Sequence, residues 1–377
     1  MASNYVEIFT RIWETFCAQW KHRGPTETYL QDFVDDLHEN GVIRVEDILT
    51  TIALGVAFTL ARYVATAFIF KPLALYFKFI PKDVTKFPES AWKVFYYFSC
   101  YMYCCYILYC GKYSFIEDPD SVWTEMKIAG LASKVEIPSD IYILYVIQTG
   151  FYLHSIYATF FMDKWRKDSI VMILHHVLTI CLLAFSFAIR YHNIGVIVLY
   201  LHDIADVFLE FTKICVCFKS RSEDCRIADR LVNFGFLMFA FVWAKCRLYQ
   251  YPYRVLYVTG HTSMKIVPEG KFYLFFNFML WALFVMNIYW FHFIILLIWR
   301  VIKGESREVE DVRELSKEET KNNFHKKENG MKNGKTNGHE SYIIKSKDQA
   351  IREEKNGIID KAKHFPHQRR KKNLQGN

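Results

Sequence analysis

The chain has 377 residues, 52% of them hydrophobic and 18% aromatic, and a formal net charge of +8. This apolar content is typical of a protein that crosses a membrane several times, not of two or three soluble domains. The excess positive charge lies in short connectors on one side of the predicted helices and in the C-terminal tail. Contact with membrane lipid is therefore predicted, and binding to nucleic acid is not.

A helix needs about 20 largely apolar residues to cross the hydrocarbon core of a bilayer. Seven segments of the sequence have this character. In chain order they are residues 48–70, 93–110, 141–162, 170–189, 194–218, 228–250 and 272–302. The predicted fold class is therefore all-α: a multi-pass transmembrane helical bundle of about seven helices.

Loop charge predicts the orientation of this bundle, because loops rich in Lys and Arg stay on the cytosolic side. The basic connectors, which lie on the same side as the tail, are residues 71–92, 163–169 and 219–230. The opposite side holds the acidic N-terminal arm, the acidic connector 111–140, the turn 190–193 and the loop 251–271. We therefore expect a lumenal N-terminus and a cytosolic C-terminus.

These expectations divide the chain into four parts. Residues 1–47 form a lumenal N-terminal arm, 48–92 the first transmembrane helix with its cytosolic connector, 93–302 the main membrane domain, and 303–377 a disordered cytosolic tail. The tail is rich in Lys, Glu, Asn and Gly, so it has too little apolar surface to offset the entropy of ordering.

Ionisable side chains inside two of the apolar segments are the strongest indication of function. His175 and His176 lie in segment 170–189, and Asp203 and Asp206 lie in segment 194–218. An Asp at the centre of a membrane helix costs at least ~2.5–3.5 kcal/mol, so such groups usually face a cavity or one another. Because only a short turn joins the two segments, they are predicted to be antiparallel neighbours whose acids and histidines can meet.

A second set of polar residues extends this candidate site. Asp203, Asp206 and Glu210 are spaced by three and four residues, so they share one helix face. The set predicted to bind substrate is His154, His202, Glu210, Lys213 and Arg62.

Other polar residues in the apolar segments are weaker indications of function, because a structural role also explains them. Arg62 in the first segment either extends to the interface or binds phosphate. Lys245 and Arg247, near the lumenal end of the sixth segment, are interpreted as interfacial anchors. Asn287 in the seventh segment is interpreted as a residue that hydrogen-bonds between helices.

A carboxylate beside an imidazole in a dry site suits acid–base or nucleophilic chemistry. An aspartate that accepts the ring N–H fixes the tautomer of the histidine. The histidine can then remove a proton from a nucleophile or carry an acyl group itself. The residues alone leave two alternatives open: a non-catalytic protein that binds lipid or the translocon, and a transporter or receptor that uses the same acids. A metal site is not predicted, because the histidine clusters of membrane di-iron enzymes and the HExxH motif are missing.

The stretch that contains HH, RYHN and LHDIAD resembles the Lag1 motif of ceramide synthases, within the wider group of TLC-domain membrane proteins. Each short motif alone is weak, whereas the joint pattern is specific. The resemblance covers roughly residues 71–302 and includes FPESAWK, GFYLHSIYATFFMDKWRKDS and FYLFFNFML. Most animal members carry a homeobox-like segment between the first two helices. Only about twenty residues connect them here, so the chain resembles the branch that lacks this segment.

The resemblance implies an enzyme of the endoplasmic reticulum membrane that joins a fatty acyl group from acyl-CoA to the amine of a sphingoid base. It implies no cofactor, since acyl-CoA is a substrate, and it maps the essential residues of the family onto His175, His176, Asp203 and Asp206. It also implies a preference for C18 acyl chains, which the family's pattern attributes to the loop 251–271. The resemblance does not decide between direct transfer and an acyl-histidine intermediate. It also leaves open whether the chain forms a homodimer or a heterodimer with related synthases.

Overall fold

A computed structural model of the chain describes residues 5–21, 26–130, 134–221 and 226–303. Within these ranges the regular structure is helical and contains no strand, so the predicted all-α class is confirmed. The predicted disordered tail lies outside the described residues, apart from its first residue.

Ten helices organise the described part of the chain. The first five are α1 Tyr5–Lys21, α2 Thr26–Asn40, α3 Val45–Tyr76, α4 Pro81–Cys105 and α5 Thr124–Ala129. The others are α6 Ser139–Phe161, α7 Ser169–Ala188, α8 His192–Arg221, α9 Arg226–Ile266 and α10 Tyr273–Ile302. A π-helical turn, Tyr106–Cys110, continues α4, and a short 3₁₀ turn, Pro119–Trp123, precedes α5.

Each of the seven predicted segments coincides with a helix, but the count of seven membrane spans is not confirmed. By length and composition, four helices in the described ranges can cross a bilayer: α3, α7, α9 and α10. The other three segments correspond to α4, α6 and α8. Several tyrosines and polar side chains lower the hydropathy of α4 and α6, and α8 carries the charged residues of the candidate site.

The turn between the fourth and fifth predicted segments is present. Arg190 has a φ of 62°, a left-handed conformation that ends α7 and reverses the chain. The amide of Tyr191 donates to the Ser186 carbonyl at 2.7 Å and so closes the last turn of α7. As predicted, α7 and α8 are antiparallel neighbours, and α8 also packs against α4, α6 and α9.

The part of the predicted N-terminal arm that the structure describes contains the helices α1 and α2. Ile8 and Ile12 of α1 are spaced by four residues, and both side chains are almost fully buried. The Ile12 side chain packs against Gly260 of α9, where an added Cβ would lie 3.3 Å from it. The hydroxyl of Tyr5 donates to the carbonyl of Leu248. This part of the chain is therefore docked on α9.

The prediction that residues 251–271 form a loop is wrong for residues 251–266, because α9 continues to Ile266. Most of the stretch from Trp243 to Thr262 is π-helical, a rare conformation that is frequent at functional sites. Pro252 lies inside this helix, where it cannot donate a backbone hydrogen bond, and a π-helical turn, Pro252–Leu256, begins at it. The Tyr251 hydroxyl donates to the Leu280 carbonyl at 2.9 Å, so the stretch packs on α10.

Candidate active site

A cavity of about 110 Å³ lies among α3, α4, α6, α7, α8, α9 and α10. This volume is small, so the cavity can enclose reacting groups but not a whole lipid. Seven of the nine predicted site residues line it: His175, His176, Asp206, His154, Glu210, Lys213 and Arg62. Asp203 and His202 are not among its lining residues.

The histidine pair is positioned by the start of α7. The Ser169 hydroxyl accepts a hydrogen bond from the Arg166 amide at 2.7 Å where this helix begins. His175 follows six residues later, or about 9 Å along the axis at 1.5 Å per residue. The rings of His175 and His176 lie 5.9 Å apart, and both line the cavity. Both Nδ1 atoms are buried without a hydrogen-bond partner.

Aromatic side chains hold the two imidazoles. The Trp290 ring of α10 packs edge-on against His175, with 5.2 Å between centroids. Trp290 is itself fixed, because its Nε1 donates to Asp168 Oδ2 at 3.0 Å. The Tyr152 ring of α6 lies 5.8 Å from the His176 ring. The rings are therefore oriented by packing against α6 and α10.

Asp206 pairs with Arg247, which the sequence analysis assigned to the membrane interface. Arg247 Nη2 donates to Asp206 Oδ2 at 2.7 Å and to the His202 carbonyl at 2.7 Å. Its guanidinium stacks over the Trp243 ring at 3.9 Å. Arg247 is 3% exposed, so its interpretation as an interfacial anchor is wrong.

Asp203 is fully buried beside the cavity. Gln148 Nε2 of α6 donates to Asp203 Oδ2 at 2.7 Å, and the Tyr96 hydroxyl of α4 donates to Gln148 Oε1 at 3.1 Å. The other carboxylate oxygen of Asp203 has no hydrogen-bond partner. Neither aspartate hydrogen-bonds to the histidine pair, because their partners come from α6 and α9 and not from α7. The expected aspartate–imidazole contact is therefore not formed in this state.

His202 links helices and does not face the cavity. Its Nδ1 lies 2.8 Å from the Val198 carbonyl, and its Nε2 lies 3.0 Å from Asn287 Nδ2. This network assigns the proton to Nδ1, with Nε2 as the acceptor. The Tyr251 ring packs edge-on against the imidazole at 5.4 Å. Asn287 thus forms the predicted hydrogen bond between helices.

His154 joins the first predicted segment to the site. Its Nδ1 lies 2.9 Å from the Thr59 hydroxyl of α3. Its Nε2 is buried without a hydrogen-bond partner.

On α8, the Lys213 ammonium pairs with Glu210 Oε1 at 2.7 Å. The predicted face of α8 therefore continues past Asp206 as an internal ion pair.

A chain of ion pairs surrounds one end of the cavity. Arg62 pairs with Asp163, and Lys93 bonds to Asp163 at 2.7 Å and to Glu89 at 2.8 Å. Arg166 completes the chain by donating to Glu89 at 3.1 Å. We call these five residues the ion-pair chain. Four of them were not predicted, although the spacing of Glu89 and Lys93 by four residues is a visible signal.

Comparison with known proteins agrees with this architecture. Residues 86–296 match the family model described as the TLC domain. Ceramide synthase 1 of Mus musculus is 43% identical over 312 residues, which cover 82% of this chain and 87% of the relative. Ceramide synthase 1 of Homo sapiens is 46% identical over 271 residues, or 71% of this chain and 75% of the relative. Ceramide synthase 1 LOH3 of Arabidopsis thaliana is 28% identical over 75% of this chain and 94% of its own length.

The TLC-domain match covers α6, α7, α8 and α9 and most of α4 and α10, whereas α3 lies outside it. The family model and the two animal relatives therefore agree on one assignment. The chain belongs to the ceramide synthase family of TLC-domain membrane proteins.

Proposed function

We propose that this chain transfers a fatty acyl group from acyl-CoA to the amine of sphinganine or sphingosine, producing dihydroceramide or ceramide. A carbon–nitrogen bond forms, the thioester carbon–sulfur bond breaks, and the amine proton is removed as CoA leaves as a thiol. The observation that carries the proposal is the shared cavity of His175, His176 and Asp206.

The histidines and the aspartates have different roles in this proposal. One imidazole removes the proton from the attacking amine or accepts the acyl group briefly as an acyl-imidazole. Asp206, which lines the cavity, holds the amine of the sphingoid base, and the fully buried Asp203 one turn earlier on α8 contributes its negative charge without direct contact with the substrate. Incubation with acyl-CoA alone, followed by mass spectrometry of the protein, separates the routes: an acylated histidine supports the covalent one.

The proposed entry for acyl-CoA is the end of the cavity that carries the ion-pair chain. Arg62, Lys93 and Arg166 supply cations there, and anionic phosphates favour such a site. This end adjoins the basic connectors predicted to be cytosolic. The proposal therefore includes an endoplasmic reticulum location with a lumenal N-terminus and a cytosolic C-terminus.

The proposed acyl preference is C18, as the family resemblance implies. The decisive experiment incubates the full chain, purified in lipid nanodiscs, with sphinganine and a ladder of acyl-CoA lengths. We expect N-acylation with its maximum at C18. Activity with a different maximum would overturn the chain-length preference alone. If folded, monodisperse protein shows no N-acylation of sphinganine with any of the acyl-CoA lengths, the proposed function is overturned.

A further inference from the structure

Arg247 is the charged residue beside the histidine pair to which no role has been assigned. It lines the cavity together with His175, His176 and Asp206. Its guanidinium is almost fully removed from solvent, and among the described residues the carboxylate that it contacts directly is that of Asp206.

The stability of the fold alone does not explain why Arg247 and Asp206 form an ion pair inside the protein. Two buried charges lose their hydration, and replacing such a pair with apolar side chains of similar volume is often neutral or stabilising. A guanidinium that served only to anchor α9 at an interface would lie at the surface, as Lys245 two residues away does. Arg247 instead lies inward over the Trp243 ring.

The geometry leaves part of Asp206 available to a ligand. Arg247 Nη2 donates to Oδ2 only, and the Asp206 side chain remains 24% exposed in the cavity that it lines. The same Nη2 donates to the His202 carbonyl one turn earlier on α8. One guanidinium nitrogen therefore fixes both the orientation of the carboxylate and the position of α9 beside α8.

We propose that Arg247 is a positioning residue for acyl transfer, which holds the Asp206 carboxylate towards the amine of the sphingoid base. This inference rests on the proposed function. Arg247 acts through Asp206, and its fixed positive charge offsets the carboxylate charge until the substrate ammonium arrives. Placing an acceptor incorrectly by about 1 Å can cost ~10²-fold in rate.

The test compares five variants of the full chain in nanodiscs: Arg247→Met, Arg247→Lys, Asp206→Asn, the double variant R247M/D206N, and Lys245→Met. Lys245→Met is the matched control, because it removes an exposed cation from the same π-helical stretch. Each variant is assayed for kcat and for the KM of sphinganine and of acyl-CoA separately. Monodispersity and thermal unfolding are measured in parallel.

We expect R247M to lower kcat by ~10²-fold, as for other misplaced catalytic groups, and to raise the KM for sphinganine more than that for acyl-CoA. R247K should recover part of the loss, since it restores the charge without the planar fork. The double variant should be no slower than D206N alone, because residues that act as a unit are not additive. K245M should match the unaltered chain.

Two results would overturn the inference: multiplicative losses in the double variant, or a folded R247M with unchanged kinetics. If R247M fails to fold, the comparison of R247K with the unaltered chain decides, and equal kinetics would reject the positioning role. Full activity of D206N would instead count against the proposed use of Asp206, and so against the proposed function.

Discussion

Two groups of side chains that line the cavity, the ion-pair chain and the histidine pair, differ in how their polar atoms are paired. In the ion-pair chain, Asp163 and Glu89 each contact two cations. At the histidine pair, both Nδ1 atoms are buried without a hydrogen-bond partner. Leaving a buried donor or acceptor unpaired costs about 1–3 kcal/mol, so each of the two imidazoles carries a cost that the two carboxylates avoid.

This difference indicates which region performs the chemistry. An unpaired buried polar group in a native protein requires an explanation, and a catalytic or ligand-binding role is one of them, which the position of the histidine pair in the cavity favours. Groups that already bond to each other must exchange partners before they can bind a ligand. The ion-pair chain is therefore suited to structure and to recognition of charge, and the histidine pair to proton or acyl transfer.

The largest expected effect is at the histidine pair. Replacing His175 or His176 with Ala should abolish N-acylation, a loss of at least ~10²–10⁴-fold, because it removes a general base. Ceramide formation from sphinganine and acyl-CoA is the measurement. His292→Ala is the control, since this histidine of α10 is exposed and does not line the cavity. Near-normal activity of both histidine variants would reject the assignment of the chemistry to the histidine pair.

The ion-pair chain should affect stability more than chemistry. Asp163→Asn leaves Arg62 and Lys93 without their shared carboxylate. Breaking an ion pair costs ~3–5 kcal/mol where both charges are buried, and less here because Asp163 and Lys93 are partly exposed. Thermal unfolding of the purified protein measures this loss. The matched control is Asp229→Asn, which breaks the 3.0 Å pair with Lys219 at a 43% exposed carboxylate. Exposed pairs contribute about 0–1 kcal/mol, so equal melting temperatures for the two variants would contradict the buried role.

Much of the candidate site could be predicted because two strong rules apply to it. The cost of charge in a bilayer identified the histidine pair and the aspartates. The helical spacing of Asp206, Glu210 and Lys213 placed them on one face, and the structure brings all three to the cavity. These rules need only local sequence and an α-helical pitch.

The partners of these residues could not be predicted, because they depend on neighbouring helices and on local departures from that pitch. Arg247 belongs to a π-helical stretch, where i→i+5 bonding changes which residues share a face. An α-helical pitch does not predict its inward direction. Gln148 is an uncharged residue, and its contact with Asp203 arises only when α6 packs beside α8. The helix α1 was missed for another reason: the spacing of Ile8 and Ile12 is visible, but polar residues surround it.

A smaller effect tests whether α3, which lies outside the TLC-domain match, belongs to the cavity. An added Cβ at Gly150 of α6 would lie 2.9 Å from the Leu54 Cβ of α3, so Gly150→Ala should force the two helices apart. Such overpacking costs about 1–3 kcal/mol. Because α3 carries Arg62 and Thr59, the separation should weaken their contacts with Asp163 and His154.

We therefore expect G150A to lower the melting temperature and to raise the KM for acyl-CoA, while kcat changes by less than in the histidine variants. Leu60→Ala is the control, because Leu60 is 60% exposed on α3 and its loss should leave both quantities unchanged. A G150A protein with a lower melting temperature but an unaltered KM would show that α3 supports the fold without shaping the substrate entry. Arg62 would then have a structural role only, and recognition of acyl-CoA would depend on Lys93 of α4 and on the cations of residues 163–169.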